Sequence, residues 1–378
     1  MKEFVPASGS MYIRGVGTAV PATRYTKAQC LLAFEQSAWF NRLDARSRFI
    51  AQTVLEHENG IEVRHLALDS LDEVFHIDPD TLARRFLYHA PKLAVSAGSR
   101  ALSAAKISAN DIDAVVVSTC TGYLCPGLSG YVVEGLGLRA DVQAYDLVGQ
   151  GCAAALPNMQ LGRALLATGS CAHVLSVCVE VSSAAMYLDN DPGVIVSACL
   201  FGDGAGAAVL SRSSNASTTK GTTTGTNAST TTGTRQIEWV DSSSVVKPSH
   251  RDVLKFETRR GMLRNVLTRA VPALAAEHAL NVLHTVLQRA GLHSHDVNTW
   301  IMHAGGRDVL KAVELHFPLQ SSDLRYSSDI LRSYGNLSSA FVYFVLQAAL
   351  ADSAPSGYWW LSSFGAGFSC HGALLKVR

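Results

Sequence analysis

The chain has 378 residues, with 32 Lys and Arg against 31 Asp and Glu and a formal net charge of +1. This balance excludes the bulk electrostatics that hold nucleic acid or an anionic membrane surface, so any anionic substrate has to be met locally. The length suffices for two ordinary domains or one pseudo-repeated unit with a large core. Eight cysteines (Cys30, Cys120, Cys125, Cys152, Cys171, Cys178, Cys199 and Cys370) lie mostly in apolar runs, without CxxC pairs or zinc spacing, and read as reduced, intracellular thiols. No run has the length of a signal peptide or a membrane span. The expectation is a soluble cytoplasmic protein without membrane or nucleic-acid partner.

In chain order, the first ten residues read as a loose extension and Met11–Gly17 alternates toward a strand ending before Pro21. Lys27 to Leu55 is helical and rich in arginine (Arg42, Arg46, Arg48), followed by Asn59-Gly60 and the strand-like Ile61 to Leu66. Asp80 to Ala105 predicts one or two helices, and Ala114 to Thr119 a strand buried on both faces. A loop, Cys120 to Gly127, leads into a helix through Glu134. Strands at Ala144–Val148 and His173–Glu180 continue the alternation, which predicts a layered α/β sheet. Cys199 to Leu210 is glycine-rich but lacks the Gly-Lys-Ser/Thr ending of a phosphate loop, so it predicts a tight turn between closely packed strands.

Residues 211–234, made of Ser, Thr, Gly and Asn with two basic residues, predict a flexible surface insertion. They divide a first half, 11–210, from a second, 235–378. The second half predicts helices at Gly261–Leu274 and Ala279–Ala290, a strand at Thr299–Met302 and a helix at Asp308–His316. A further helix opens at Tyr334–Ser339 and runs to Leu350, before closing strands at Tyr358–Ser362 and His371–Val377.

The stretch Leu147-Val148-Gly149-Gln150-Gly151-Cys152-Ala153-Ala154-Ala155 places one cysteine where a strand turns into a helix. A helix N-terminus favours thiolate, and the glycines let a substrate approach closely. His303, in His303-Ala304-Gly305-Gly306, and Asn336, in Tyr334-Gly335-Asn336-Leu337-Ser338-Ser339, hold equivalent places at strand ends. Sites on α/β sheets gather there. Singly, each is as ordinary as a core thiol, a structural histidine or a turn asparagine; together they could share one pocket.

With Ser118-Thr119-Cys120-Thr121-Gly122-Tyr123-Leu124-Cys125-Pro126-Gly127, Leu200-Phe201-Gly202-Asp203-Gly204-Ala205 and Phe364-Gly365-Ala366-Gly367, these motifs make Met11–Arg378 resemble the type III polyketide synthases. These are the chalcone-synthase-like branch of the thiolase superfamily, and the match is to a bacterial-type member. The resemblance implies an α/β fold of five layers, αβαβα, built from two similar halves, and a homodimer. It implies coenzyme A thioesters as substrates, malonyl-CoA and an acyl-CoA starter, with no metal or other cofactor. Cys152 would be the acyl-carrying nucleophile, and His303 would hold it as thiolate by an ion pair. His303 and Asn336 would together stabilise the malonyl enolate.

By the same matching, Cys120, Thr121, Cys125, Ser182, Ala185, Phe201, Phe256 and Ser338 would line the cavity, with Ala153 and Asn265 where plant members carry phenylalanine. Such small or polar side chains imply a roomier pocket suited to fatty acyl starters. Arg46, Arg48 and Arg307 would anchor the phosphates of coenzyme A. Ala304 replaces the family's usual proline. Two other readings share the residue types: a ketoacyl synthase III-like enzyme making a single extension, and a non-enzymatic partner subunit of the same fold. A papain-like protease also runs Cys, His, Asn, but its cysteine signature is absent.

Overall fold

The computed structural model describes residues 10–213, 235–317 and 319–378. Within them run thirteen strands: β1 (Met11–Ala19), β2 (Arg24–Thr26), β3 (Val63–His65), β4 (Ala114–Ser118), β5 (Gln143–Leu147), β6 (His173–Glu180), β7 (Gly204–Ser211), β8 (Ile237–Val246), β9 (Leu254–Arg259), β10 (Met262–Leu267), β11 (Val297–Met302), β12 (Gly357–Gly365) and β13 (Ser369–Val377). Of the insertion expected at 211–234, all but its first three residues lies outside the described residues.

Nine strands form one sheet in the order β11-β12-β13-β8-β1-β7-β6-β4-β5, and its two sides repeat one pattern. β4 is parallel to β6, which is antiparallel to β7, itself antiparallel to β1. Likewise β11 is parallel to β12, which is antiparallel to β13, itself antiparallel to β8. The two sides join where Met11–Ile13 pairs antiparallel with Ile237–Trp239.

Between the sides lie the helices Ala155–Ala167 and Phe341–Ala351; the first touches strands β6 and β13, the second β1 and β11. The helix Phe341–Ala351 is buried at seven of its eleven positions, which explains why it reads as an apolar run without an amphipathic stripe. A buried polar chain ties the two helices together: Asn158 Nδ2 donates to the Val116 and Val177 carbonyls, Ser176 Oγ donates to Asn158 Oδ1, and Ser176 Oγ lies 2.8 Å from the Tyr343 hydroxyl. The helix Pro79–Ala105 covers the outer face of the first side and Val271–Ala290 that of the second. The result is helix, sheet, helix, sheet, helix, the expected αβαβα layering.

Gly15 and Gly17 set the distance between β1 and its outer helix. A Cβ on Gly17 would lie 2.3 Å from the Ala97 carbonyl oxygen, and one on Gly15 2.4 Å from the Ala105 nitrogen.

Several boundaries differ from the sequence expectations. The stretch Gly261–Leu274 is no single helix: β9 and β10 form a hairpin there, turned by Arg260 (φ +52°) and Gly261 (φ +76°). Two central residues with positive φ are what a two-residue hairpin needs. One helix, Val271–Ala290, then replaces the two expected, starting at Pro272 in its first turn and stopping at Gly291 (φ +66°). Lys27–Leu55 breaks into three helices because Ser37 and Asp44 cap new starts, accepting from the Phe40 and Ser47 amides. The glycine-rich turn at 201–203 links a helix, Pro192–Leu200, to β7 rather than two strands. No helix among the described residues is long and apolar enough to cross a membrane.

Substituting Gly17→Ala should destabilise the protein by about 1–3 kcal/mol through overpacking. Gly130→Ala, at a helical site with nothing within 4 Å of the added Cβ, should be neutral or slightly stabilising. Denaturant unfolding of the two variants compares them directly.

Candidate active site

Cys152 lies in the single turn Gly151–Ala153 that opens the helix Ala155–Ala167, 7% exposed. Gly149 (φ +80°) and Gly151 (φ +55°) make the turn that swings the chain out of β5. His303 follows β11, and its amide donates to the Ser362 carbonyl at 2.9 Å. Asn336 is held at the boundary between the halves: its amide donates to the Leu200 carbonyl and its carbonyl accepts from Gly202.

The side chains form one connected chain of hydrogen bonds. Ser338 Oγ lies 3.1 Å from Cys152 Sγ, and the Ser338 amide donates to Asn336 Oδ1 at 2.8 Å. His303 Nε2 lies 3.2 Å from the same Oδ1, while Asn336 Nδ2 donates to the Gly305 carbonyl at 3.0 Å. These backbone partners fix the Asn336 amide and assign the proton to Nε2 of the neutral imidazole. The ring also packs against Phe364, with centroids 4.8 Å apart.

Beneath the thiol sits a buried carboxylate that sequence reasoning missed. Glu180, the last residue of β6, accepts from the Cys120 amide (3.0 Å), Thr121 Oγ1 (3.0 Å), Cys120 Sγ (3.3 Å) and Ser339 Oγ, and lies 3.4 Å from Ser338 Oγ. Its signal was available: an ionisable residue closing a strand whose other positions are all buried. Burial raises its pKa, and the donors from Ser339, Cys120 and Thr121 oppose that rise.

Burial also pushes the Cys152 thiol up to about 12, against the lowering contribution of Ser338, and pushes His303 down to about 4. Both shifts oppose the thiolate–imidazolium pair expected from the sequence. The hydrogen-bond partner of Cys152 is Ser338, and that of His303 is Asn336.

Seven of the expected cavity residues do converge. Thr121, Ser182, Ala185, Phe201, Phe256, Asn265 and Ser338 line one inner pocket, joined by Leu66, Met186 and Ser197. Cys120 opens instead on an outer cleft of ≈ 850 Å³, which reaches Gly151 and is walled by Leu82, Phe86, Leu87, Met262 and Leu263. Thr121 and Phe256 border both spaces.

Other assignments are corrected. Cys125 is exposed and lines neither space. Ala153 is fully buried away from both: a Cβ on Gly365 would lie 2.9 Å from its own Cβ. Its small size answers the close approach of β12, not a wide pocket. Among the arginines, Arg48 Nη1 donates to the Leu43 carbonyl at 2.9 Å, bracing a local chain turn, and Arg307 Nη1 donates to the Glu58 carbonyl, tying the second half of the chain to the first. Arg46 is exposed on the first turn of the helix Ala45–Glu56.

Comparison with known proteins agrees with this architecture. Residues 72–236 match the family described as FAE1/Type III polyketide synthase-like protein, and residues 240–376 the chalcone and stilbene synthases, C-terminal domain. The 3,5-dihydroxyphenylacetyl-CoA synthase of Streptomyces toyocaensis is 30% identical over 380 residues, covering 96% of this chain and 89% of the relative. The 1,3,6,8-tetrahydroxynaphthalene synthase of Streptomyces peucetius is 29% identical, covering 96% and 92%. Among solved structures, PKS-I from the brown alga Ectocarpus siliculosus superposes with a TM-score of 0.85 at 23% identity over 100% of both chains. The tetrahydroxynaphthalene synthase of Streptomyces coelicolor gives 0.81 at 21% identity, covering 97% of this chain and 99% of that one. The fold is that of the thiolase-like condensing enzymes. Within that class the chain belongs to the type III polyketide synthase family and is an enzyme of the acyltransferase type.

A thiol with its pKa near 12 should be alkylated by iodoacetamide at a rate rising about tenfold per pH unit from pH 7 to 9. Peptide mass spectrometry at Cys152 measures this; a plateau across that range would show a preformed thiolate. Ser338→Ala should slow alkylation about fivefold at each pH, because the lost hydrogen bond favoured the thiolate.

Proposed function

We propose that Cys152 carries the growing acyl chain and that His303 and Asn336 stabilise the enolate that extends it. The observation that supports this most is the unbroken chain Cys152–Ser338–Asn336–His303, which links both halves through one set of hydrogen bonds. Loading converts thiol and neutral imidazole to thiolate and imidazolium. The sulfur attacks the acyl-CoA carbonyl, and the coenzyme A thiolate leaves, taking up the proton. Malonyl-CoA then loses carbon dioxide, and the electron pair of the broken bond becomes an enolate. Its oxygen is received by the second N–H of Asn336 Nδ2, the first being committed to Gly305, and by the His303 Nε2–H, which exchanges Asn336 Oδ1 for the enolate oxygen. The enolate carbon attacks the acyl-Cys152 carbonyl, expels the thiolate and lengthens the chain by two carbons. Repetition and ring closure release the product.

Arg46, exposed on its helix, is the phosphate anchor we assign for coenzyme A. We infer a homodimer through β5, an edge strand of the sheet whose Tyr145 is 38% exposed beside Val148 at 57%. Eight free cysteines suit a reducing, cytoplasmic setting.

Incubation with malonyl-CoA and a panel of acyl-CoA starters, read by mass spectrometry, should show chains extended more than once without carrier protein. A single two-carbon extension strictly dependent on carrier protein would identify a ketoacyl synthase III-like enzyme instead. His303→Ala and Asn336→Ala should each lower malonyl-CoA decarboxylation about 10²–10³-fold.

A further inference from the structure

The inner pocket contains two buried polar atoms without hydrogen-bond partners, Asn265 Oδ1 and Ser182 Oγ. The pocket begins at Ser338, whose hydroxyl touches the Cys152 sulfur. Asn265 is only 7% exposed, and its amide is oriented by Nδ2 donating to Ser197 Oγ at 2.8 Å. Oδ1 is therefore the unpaired end of a fixed amide.

The elements that meet at this bond are locked together. Arg264, next to Asn265 on β10, donates to Asp189, Asp191 and Glu257 at 2.8–3.0 Å. Asp191 in turn caps the helix Pro192–Leu200 that carries Ser197. The hairpin and helix pack so closely that a Cβ on Gly193 would lie 2.0 Å from the Leu267 carbonyl oxygen. An acceptor held this way cannot turn to find another partner in the protein. Buried acceptors without partners are rare, and water against one is exchanged without loss only for another donor.

We propose that Asn265 Oδ1 is a specificity acceptor for the acyl chain, taking a hydrogen bond from a hydroxyl or enol group of the chain on Cys152. Ser182 Oγ supplies the second polar contact. The pocket thereby selects hydroxylated or β-keto chains over saturated alkyl chains of equal length. A β-keto chain provides the donor by enolisation: a proton leaves the carbon between the carbonyls and is taken up on the distal carbonyl oxygen, with no change of oxidation state. This rests on Cys152 as the acyl carrier. It reverses the expectation that a polar residue at position 265 suits fatty starters, since an alkyl chain leaves the acceptor unpaired. The cavity, ≈ 30 Å³, has room for two or so water-sized groups, so the discriminated position lies close to the thioester.

The test is acylation of Cys152 by racemic 3-hydroxybutyryl-CoA and by butyryl-CoA, followed by time-resolved intact-protein mass spectrometry. The wild-type enzyme should favour the hydroxylated ester about tenfold in loading efficiency. Asn265→Leu should bring the ratio near one, and Asn265→Asp, which keeps an acceptor, should retain the preference. A wild-type ratio near one, or an undiminished preference in Asn265→Leu, overturns the proposal. If Asn265→Leu loads neither ester, the wild-type ratio with the partial fall expected for Ser182→Ala decides it. Failure of both esters to acylate the wild-type cysteine would refute the carrier assignment instead.

Discussion

The site depends on the burial of one carboxylate. Glu180 ends β6 in the first half of the chain, yet two of its donors, Ser338 and Ser339, belong to the turn that opens the helix Phe341–Ala351 of the second half. A buried carboxyl group without such partners costs several kcal/mol, so the turn cannot leave Glu180 without heavy penalty. That requirement places Ser338 beside Cys152 and, through its amide, fixes Asn336 and then His303. The same constraint holds the two central helices in register, seconded by the buried contact of Ser176 with Asn158 and Tyr343.

Low dielectric explains the electrostatic state of the site. Burial pushes the Cys152 thiol up and His303 down, so charging either group is costly. Ser338 moderates that cost by donating toward the sulfur; its single proton serves either Cys152 or Glu180 at one time.

Much of this was legible in the sequence because it depends on local patterns. Apolar runs gave β4, β6 and the closing strands, and the Gly-x-Gly-Cys turn, His303 and Asn336 stood out by their equivalent positions. The hairpin β9–β10 was not legible, because its turn rests on Arg260 taking a positive φ, a conformation that arginine does not advertise. Glu180 offered only the signal of an ionisable residue closing an apolar strand, and its role comes from donors spread over residues 119–339, a tertiary fact. Ala153 matched a family position and Arg48 was a candidate phosphate anchor, yet packing against Gly365 and bonding to Leu43 are what the structure gives them. The pocket residues around Asn265 were named correctly as neighbours, but the orphaned Oδ1 exists only in three dimensions.

Two sulfurs, Cys152 and Cys120, lie within 3.5 Å of the Ser338 hydroxyl, so the central claim is which of them carries the chain. The most direct measurement is peptide mapping of the enzyme quenched during turnover with malonyl-CoA and an acyl-CoA starter. The account predicts the acyl adduct on the peptide containing Cys152, and none anywhere in Cys152→Ala. An adduct on Cys120, or one that persists in Cys152→Ala, would contradict it.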